Sequence, residues 1–219
     1  EGVPVGIPKK PLFENYTKDE LCKMKLTEFR VETCGSLIFV NLKNDSADLR
    51  EFLGKFYSPV EKMTNAFGIQ IDTNSMLIRA NWKIIVENTM EAYHLSLVHA
   101  DTLAKLMPIT NMENLTFDFE PPHSNYIIPL KTKIDSKKLK FTHKPFEHRE
   151  WNLDGFQHYL IFPNILLSSS YGTTFNLTLL EPKSSSETIF TSNVFIAKFQ
   201  DGYSEEDTQE FIKKAIEYN

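Results

Sequence analysis

Between Asn81 and Leu103 the chain reads NWKIIVENTMEAYHLSLVHADTL. Ile84, Ile85 and Val86 are apolar. Glu87, Asn88, Glu91, Tyr93 and His94 then bring polar and titratable groups into the same segment, and His99 follows His94 by five residues. Two imidazoles and a carboxylate this close together in an otherwise apolar segment point to a candidate metal site. On a helix each residue turns about 100°, so Asn88, Glu91 and His94, three apart, share one polar stripe. His99 would lie about 140° round the same cylinder from His94. The two rings therefore meet on one ion only if the helix ends or distorts after His94, which the segment Leu95–Val98 allows. The H-x-x-x-H spacing of a zinc helix needs no such break, and this disfavours a zinc hydrolase. A competing reading makes both histidines polar lining, or core residues satisfied by hydrogen bonds. His123, His143, His148 and His158 sit in loop-like or strand contexts without a partner pattern and read as structural or surface residues.

The elements that must position this segment can be read from turn residues and periodicity. Gly2, Pro4, Gly6, Pro8 and Pro11 make turns and short edge strands of residues 1–12. In LTEFRVETCGSLIFVNL (26–42), Phe29, Val31 and Thr33 alternate with Arg30 and Glu32. Gly35 interrupts the pattern before it resumes, which predicts a β-hairpin or bent strand pair. Asn44, Asp45 and Ser46 offer N-caps to a helix carrying Ala47, Leu49, Phe52, Leu53 and Phe56. This change from β to α places a domain boundary near residue 45. Residues 67–80 read as strands with a turn at Thr73-Asn74-Ser75, and 116–119 as a strand before Pro121-Pro122. Residues 123–150 read as a long loop region over a pocket. Strands over 156–180, with turns at Pro163-Asn164 and Gly172, precede another over 187–199. Ser204, the acids behind it and the stripe Phe211, Ala215, Ile216 predict a C-terminal helix. The fold class is α+β, many antiparallel strands against a few helices.

Composition excludes several functions. The 219 residues carry a net charge of −5, with Lys and Arg scattered, which argues against a nucleic-acid or anionic-membrane partner. No apolar run approaches the roughly 18 residues of a membrane helix, and no signal peptide is recognisable. Cys22 and Cys34 form no C-x-x-C motif, so reduced thiols and a cytoplasmic location are expected. The 17 phenylalanines supply an aromatic core. The first residue is not Met, and a piece of a longer protein is expected.

The central segment resembles the iron-binding segment of the Rieske non-haem iron oxygenases, in the α subunit of the ring-hydroxylating type. That form has an N-W-K opening, E-N, an acid three before Y-H, and a second His four or five further on. EGVPVGIPK resembles the end of a Rieske domain, TEFRVETCGSLIFVNL its closing strands, and YLIFPNILLSSSYG the later pocket strand of the catalytic domain. The resemblance implies residues 1–45 as the C-terminal β remnant of a Rieske domain and 46–219 as the catalytic domain. The latter is expected to have a helix-grip (START/Bet v1-like) antiparallel sheet packed on a long C-terminal helix. It implies His94 and His99 as ligands of a mononuclear Fe(II), and Glu91 as the acid that links the iron site to the cluster of a neighbouring subunit in a homotrimer. Asn88 and Tyr93 are implied as hydrogen-bonding around the site, and Asp101 either steadies His99 or begins the next turn. Small-molecule substrate, O2 and a reductase or ferredoxin are the implied partners.

The sequence departs from the family in two places. A Rieske [2Fe-2S] cluster needs two cysteines and two histidines, and neither C-x-H nor C-x-x-H occurs, so the cluster is expected upstream of residue 1. The carboxylate ligand is expected just after Asn219. Glu205, Glu206 and Asp207 are acidic but read better as helix N-terminal acids. Glu91 in place of the Asp of many dioxygenases resembles the choline- and carnitine-type monooxygenases. A quaternary ammonium substrate would want aromatic faces, for which Tyr126, Trp151, Phe156, Tyr159, Phe162 and Tyr171 are the candidates. The alternative function is a metal-free helix-grip domain binding a hydrophobic small molecule.

Overall fold

The computed structural model describes residues 6–43, 47–99, 115–129, 145–146 and 155–204, together with 206, 207, 209, 210 and 213. A short helix, α1 (Lys18–Lys23), starts from a reciprocal cap. The Thr17 N–H donates to Glu20 Oε2 at 2.8 Å and the Glu20 N–H to Thr17 Oγ1 at 3.3 Å. The expected hairpin follows as β1 (Arg30–Cys34) and β2 (Leu37–Asn41), a two-stranded antiparallel sheet of its own. Its inner side is mixed: Cys34, Leu37 and Phe39 pack on the core, beside Arg30 and Glu32. Glu32 Oε2 accepts the Leu49 N–H at 2.9 Å, and Arg30 bonds the other oxygen at 3.0 Å. Val31, Ile38 and Val40 form an exposed apolar face.

Gly35 turns this hairpin with a φ of 57°. A Cβ there would lie 2.1 Å from Thr64 Oγ1 and 2.6 Å from the Glu61 carbonyl oxygen, so backbone as well as side chain stands in the way. Gly35→Ala is expected to cost about 2–4 kcal/mol. In a thermal melt that is a fall in Tm of roughly 5–12 °C, and an unchanged Tm would contradict the turn's close approach.

After the hairpin come α2 (Leu49–Leu53), a 3-10 turn over Gly54–Phe56, and α3 (Tyr57–Asn65). The cap of α2 is Asp48, whose Oδ1 accepts the Glu51 N–H at 2.7 Å; residues 44–46 lie outside the described residues. Gly54, at a φ of 52°, divides what the periodicity reads as one helix.

Among the described residues the main sheet has seven antiparallel strands: β3 (Phe67–Ile78), then, after α4 (Trp82–Met90) and α5 (Leu95–Val98), β4 (Thr116–Glu120), β5 (His123–Pro129), β6 (Gly155–Ile161), β7 (Ile165–Ser170), β8 (Thr174–Ser184) and β9 (Glu187–Ala197). The spatial order is β3-β9-β8-β7-β6-β5-β4. One face of the sheet packs Tyr159, Ile161 and Leu167 against Leu53, Phe56, Val60 and Met63 of the helical segment and Cys34 of the hairpin. The other packs Leu166 and Leu180 against Ile85 and Val86 of α4. The chain alternates between these cores with the period of two that strands require: in β6, Gln157, Tyr159 and Ile161 are buried on the first side, while Phe156, His158 and Leu160 fall between them.

Two expectations fail here. The turn at Thr73-Asn74-Ser75 is absent, since β3 runs unbroken through it. These polar residues are satisfied across the strands instead: Thr73 donates to Asn193 Oδ1 at 3.0 Å, and Ser75 and Thr191 hydroxyls meet at 3.0 Å. On an edge strand such cross-strand pairs override turn preference. The loop expected from residue 123 begins with β5, which pairs with β4 on one side and β6 on the other. His123 is bonded at each ring nitrogen, by Phe52 O at 2.8 Å and by the Phe162 N–H at 3.0 Å. Ser204, the expected N-cap of a C-terminal helix, is paired with Asp207. Ser204 Oγ donates to Asp207 Oδ2 at 2.6 Å and accepts the Asp207 N–H at 3.0 Å. Phe211, Ala215 and Ile216 lie outside the described residues, as do His143, His148 and Trp151.

Candidate active site

The helix α4 opens on Asn81, whose side chain accepts the Lys83 N–H at 3.0 Å. It closes at Met90. Glu91 is extended (φ −113°, ψ 149°), and its carboxylate accepts the N–H groups of Tyr93 and His94, the second at 3.2 Å. An extended residue whose side chain takes the N–H groups two and three ahead is acting as an N-cap. The break therefore falls before His94, not after it, and Glu91 itself caps the next helical turn. A second departure follows at once, because α5 is only four residues long and His99 leaves it with a φ of −107° and a ψ of 28°.

The two rings come together at the ends of α5. The imidazoles of His94 and His99 have centroids 5.4 Å apart at 69°. A ring nitrogen about 2.1 Å from an ion puts each centroid roughly 3.2 Å from it, and two such ligands at about 90–110° have centroids roughly 5 Å apart. The observed centroid separation is compatible with that spacing. His94 Nδ1 is paired with Glu91 Oε1, which fixes the ring and leaves Nε2 as the nitrogen that could take a metal. Partial burial tends to raise the Glu91 pKa, but hydrogen bonds from the His94 ring and from the His94 and Tyr93 N–H groups outweigh it and hold the carboxyl below its ordinary value.

The pair opens on a cavity of about 370 Å³, a size that suits a small organic molecule. Asn88, Glu91, His94 and His99 line it from the helical side. Its floor is the sheet, where strand register places Tyr126, His158, Ser168, Asn176 and Val194 in one row across five strands. Asn88 and Glu91 thus reach the site, though not as one stripe, since Glu91 lies off the end of α4. Tyr93 is not part of the described cavity lining: the residue is 70% exposed, and its N–H is given to Glu91. Of the proposed aromatics, Tyr126 and Phe156 line the cavity. Tyr159 belongs to the opposite core, and Phe162 packs against Trp82. Tyr126 donates to Thr89 O at 3.3 Å, and burial first, then the nearby Glu91 charge, pushes its phenol pKa up.

His158 reads as a structural residue from its local sequence, yet the structure places it in the cavity wall beside Tyr126 and Phe156. No local signal could reveal this, because the approach depends on register between distant strands. Among the described residues no third His, Cys, Asp or Glu joins His94 and His99 in a group fit for a metal. Glu206 is exposed and Asp207 is engaged in its cap; Asp101 and Glu205 lie outside the described residues.

Residues 56–218 match the ring hydroxylating alpha subunit (catalytic domain) family. The chain belongs to that family. No curated protein matches it. Among similar solved structures, a quaternary ammonium Rieske monooxygenase, CntA, has a TM-score of 0.68 at 14% identity, over 97% of this chain and 53% of its own. The same enzyme in complex with L-carnitine gives 0.63 at 11%, over 96% and 51%. Naphthalene 1,2-dioxygenase with indole bound gives 0.64 at 17%, over 99% and 53%. These likenesses are of fold, and they confirm an α+β catalytic-domain architecture. The chain spans about half the length of these structures.

Proposed function

We propose that the chain is the catalytic-domain portion of a Rieske-type oxygenase α subunit, which uses O2 to hydroxylate or demethylate a small organic substrate, aromatic or quaternary ammonium. The observation that carries this is the meeting of the His94 and His99 rings at the wall of a cavity, with Glu91 holding His94 Nδ1. Their donor set fits a mononuclear Fe(II), with a carboxylate outside the described residues as third ligand. Iron held by two imidazoles and a carboxylate supplies open positions for O2 beside the substrate. The chain's own residues do the rest. Glu91 orients His94, Asn88 presents an amide to the cavity, and Tyr126 and Phe156 offer ring faces to a flat or cationic substrate.

Glu91 also serves the electron path in this proposal. Its side chain is 43% exposed while one oxygen holds His94, so it can receive a cluster ligand of a neighbouring subunit in a homotrimer. The [2Fe-2S] cluster belongs to the rest of the parent protein, supplied by a reductase or ferredoxin. The hairpin's exposed Val31, Ile38 and Val40 support its assignment, with residues 1–45, to a Rieske domain. Among the described residues no helix is long and apolar enough to cross a membrane, and a cytoplasmic location remains the proposal.

The test is turnover of the intact protein with a reductase and isotopically labelled O2 over a panel of aromatic and quaternary ammonium compounds. Labelled oxygen in a product is expected. Binding of compounds without any oxygen incorporation would favour the metal-free binding domain instead.

A further inference from the structure

Two buried histidines on adjacent strands are treated oppositely by this fold. His123 of β5 has a partner at each ring nitrogen. His158 of β6 has none: Nδ1 and Nε2 are both buried and both lack a hydrogen bond. A neutral imidazole carries one donor and one acceptor, and leaving both unmet in a protein interior is costly enough to require an explanation. Burial pushes the His158 pKa down to about 4, so at pH 7 the ring is neutral and offers one donor and one acceptor.

The position of His158 says where that partner comes from. It lies in the cavity wall, between the rings of Tyr126 and Phe156, whose centroids are 5.5 and 6.0 Å away. Along its row, its neighbours on either side are Tyr126 and Ser168, and Asn176 follows. The Tyr126 hydroxyl is turned to Thr89, and Asn176 is engaged with Ser192 and Thr178. None of them completes the imidazole. The described lining contains no Lys, Arg or Asp, and its Glu91 is occupied by His94. The torsion that sets a histidine ring is soft, so a small rotation brings a nitrogen onto the cavity.

We propose that His158 orients the substrate, and that the cavity takes a small uncharged molecule bearing a hydroxyl or carbonyl group, which becomes the partner the imidazole lacks. This rests on the oxygenase reading only for the fate of the molecule once bound. His158 is then a specificity residue: it selects oxygen-bearing compounds over hydrocarbons of equal shape and fixes which end faces His94 and His99.

The experiment measures binding of naphthol and of methylnaphthalene, which differ by a hydroxyl against a methyl. The intact protein is used without reductant, so nothing turns over, and iron content is assayed on the same samples. Wild type is expected to prefer naphthol by about tenfold relative to His158→Leu. His158→Asn, which keeps a donor and an acceptor, is expected to restore part of that preference. Nitrogen NMR of the wild-type His158 ring should shift on adding naphthol and stay still with methylnaphthalene, which a purely structural histidine would not do. Equal preference in wild type and His158→Leu, no naphthol binding, or unmoved ring signals would each overturn the proposal. Should His158→Leu not fold, the NMR result decides alone. If the samples take up no iron yet show the preference, the oxygenase reading falls while the role of His158 stands.

Discussion

Replacing His94 or His99 with alanine is expected to lower Fe(II) affinity and turnover by more than about 100-fold each. The scale follows from what lies outside the ligands: removing a group that merely supports a metal ligand already costs about 10–100-fold. Each variant leaves one imidazole of the pair at the cavity wall. A single neutral nitrogen with one carboxylate does not hold a divalent ion against water. The double variant should behave like the singles, because the first loss removes the site. The fold should survive, since His94 and His99 flank a four-residue helix away from both apolar cores. Circular dichroism and melting curves check this, and unchanged iron affinity in a folded variant would contradict the assignment.

Glu91 variants carry the second large effect, and they separate two roles. Glu91→Ala removes the partner of His94 Nδ1 and the acceptor of the Tyr93 and His94 N–H groups together. Turnover is expected to fall about 100-fold and iron affinity about tenfold. Glu91→Gln keeps one acceptor oxygen, which can serve the His94 ring while the turn loses its acceptor, and it loses the charge. With that oxygen on the ring, iron affinity should stay within about threefold of wild type, since orientation of the histidine is retained. If Glu91 also links the site to a cluster across a subunit boundary, the rate at which reduced cluster is reoxidised with substrate and O2 should fall more steeply than iron affinity in Glu91→Gln. Parallel losses would leave Glu91 as a positioning residue only.

The meeting of His94, His99 and Glu91 was legible because they are local. His94, His99 and Glu91 fall within nine residues of one another, so sequence spacing already limits how they can meet. The place of the break was not legible, because it depends on Glu91 bending its side chain forward to cap the next turn. Tyr93, expected to hydrogen-bond around the site, gives its N–H to Glu91, and the residue is largely exposed. The sheet floor was out of reach for a different reason. Tyr126, His158, Ser168 and Asn176 come together through register, which long-range pairing sets. Pairing likewise decided β3, where turn-forming residues became cross-strand partners, and β5, whose polar residues carry no clear alternation. Strands of clear apolar character, β6 to β9, and the turns at Pro163-Asn164 and Gly172 were readable from pattern alone.

The central claim is that His94 and His99 hold a mononuclear iron. Its most direct test is Mössbauer spectroscopy of the intact protein loaded anaerobically with isotopically labelled Fe(II), which resolves a mononuclear ferrous ion from a [2Fe-2S] cluster in one spectrum. Wild type should show a high-spin ferrous component that is lost in the folded His94→Ala/His99→Ala variant, with any cluster component unchanged. A ferrous component of equal size in both proteins, or none in wild type, would contradict the account.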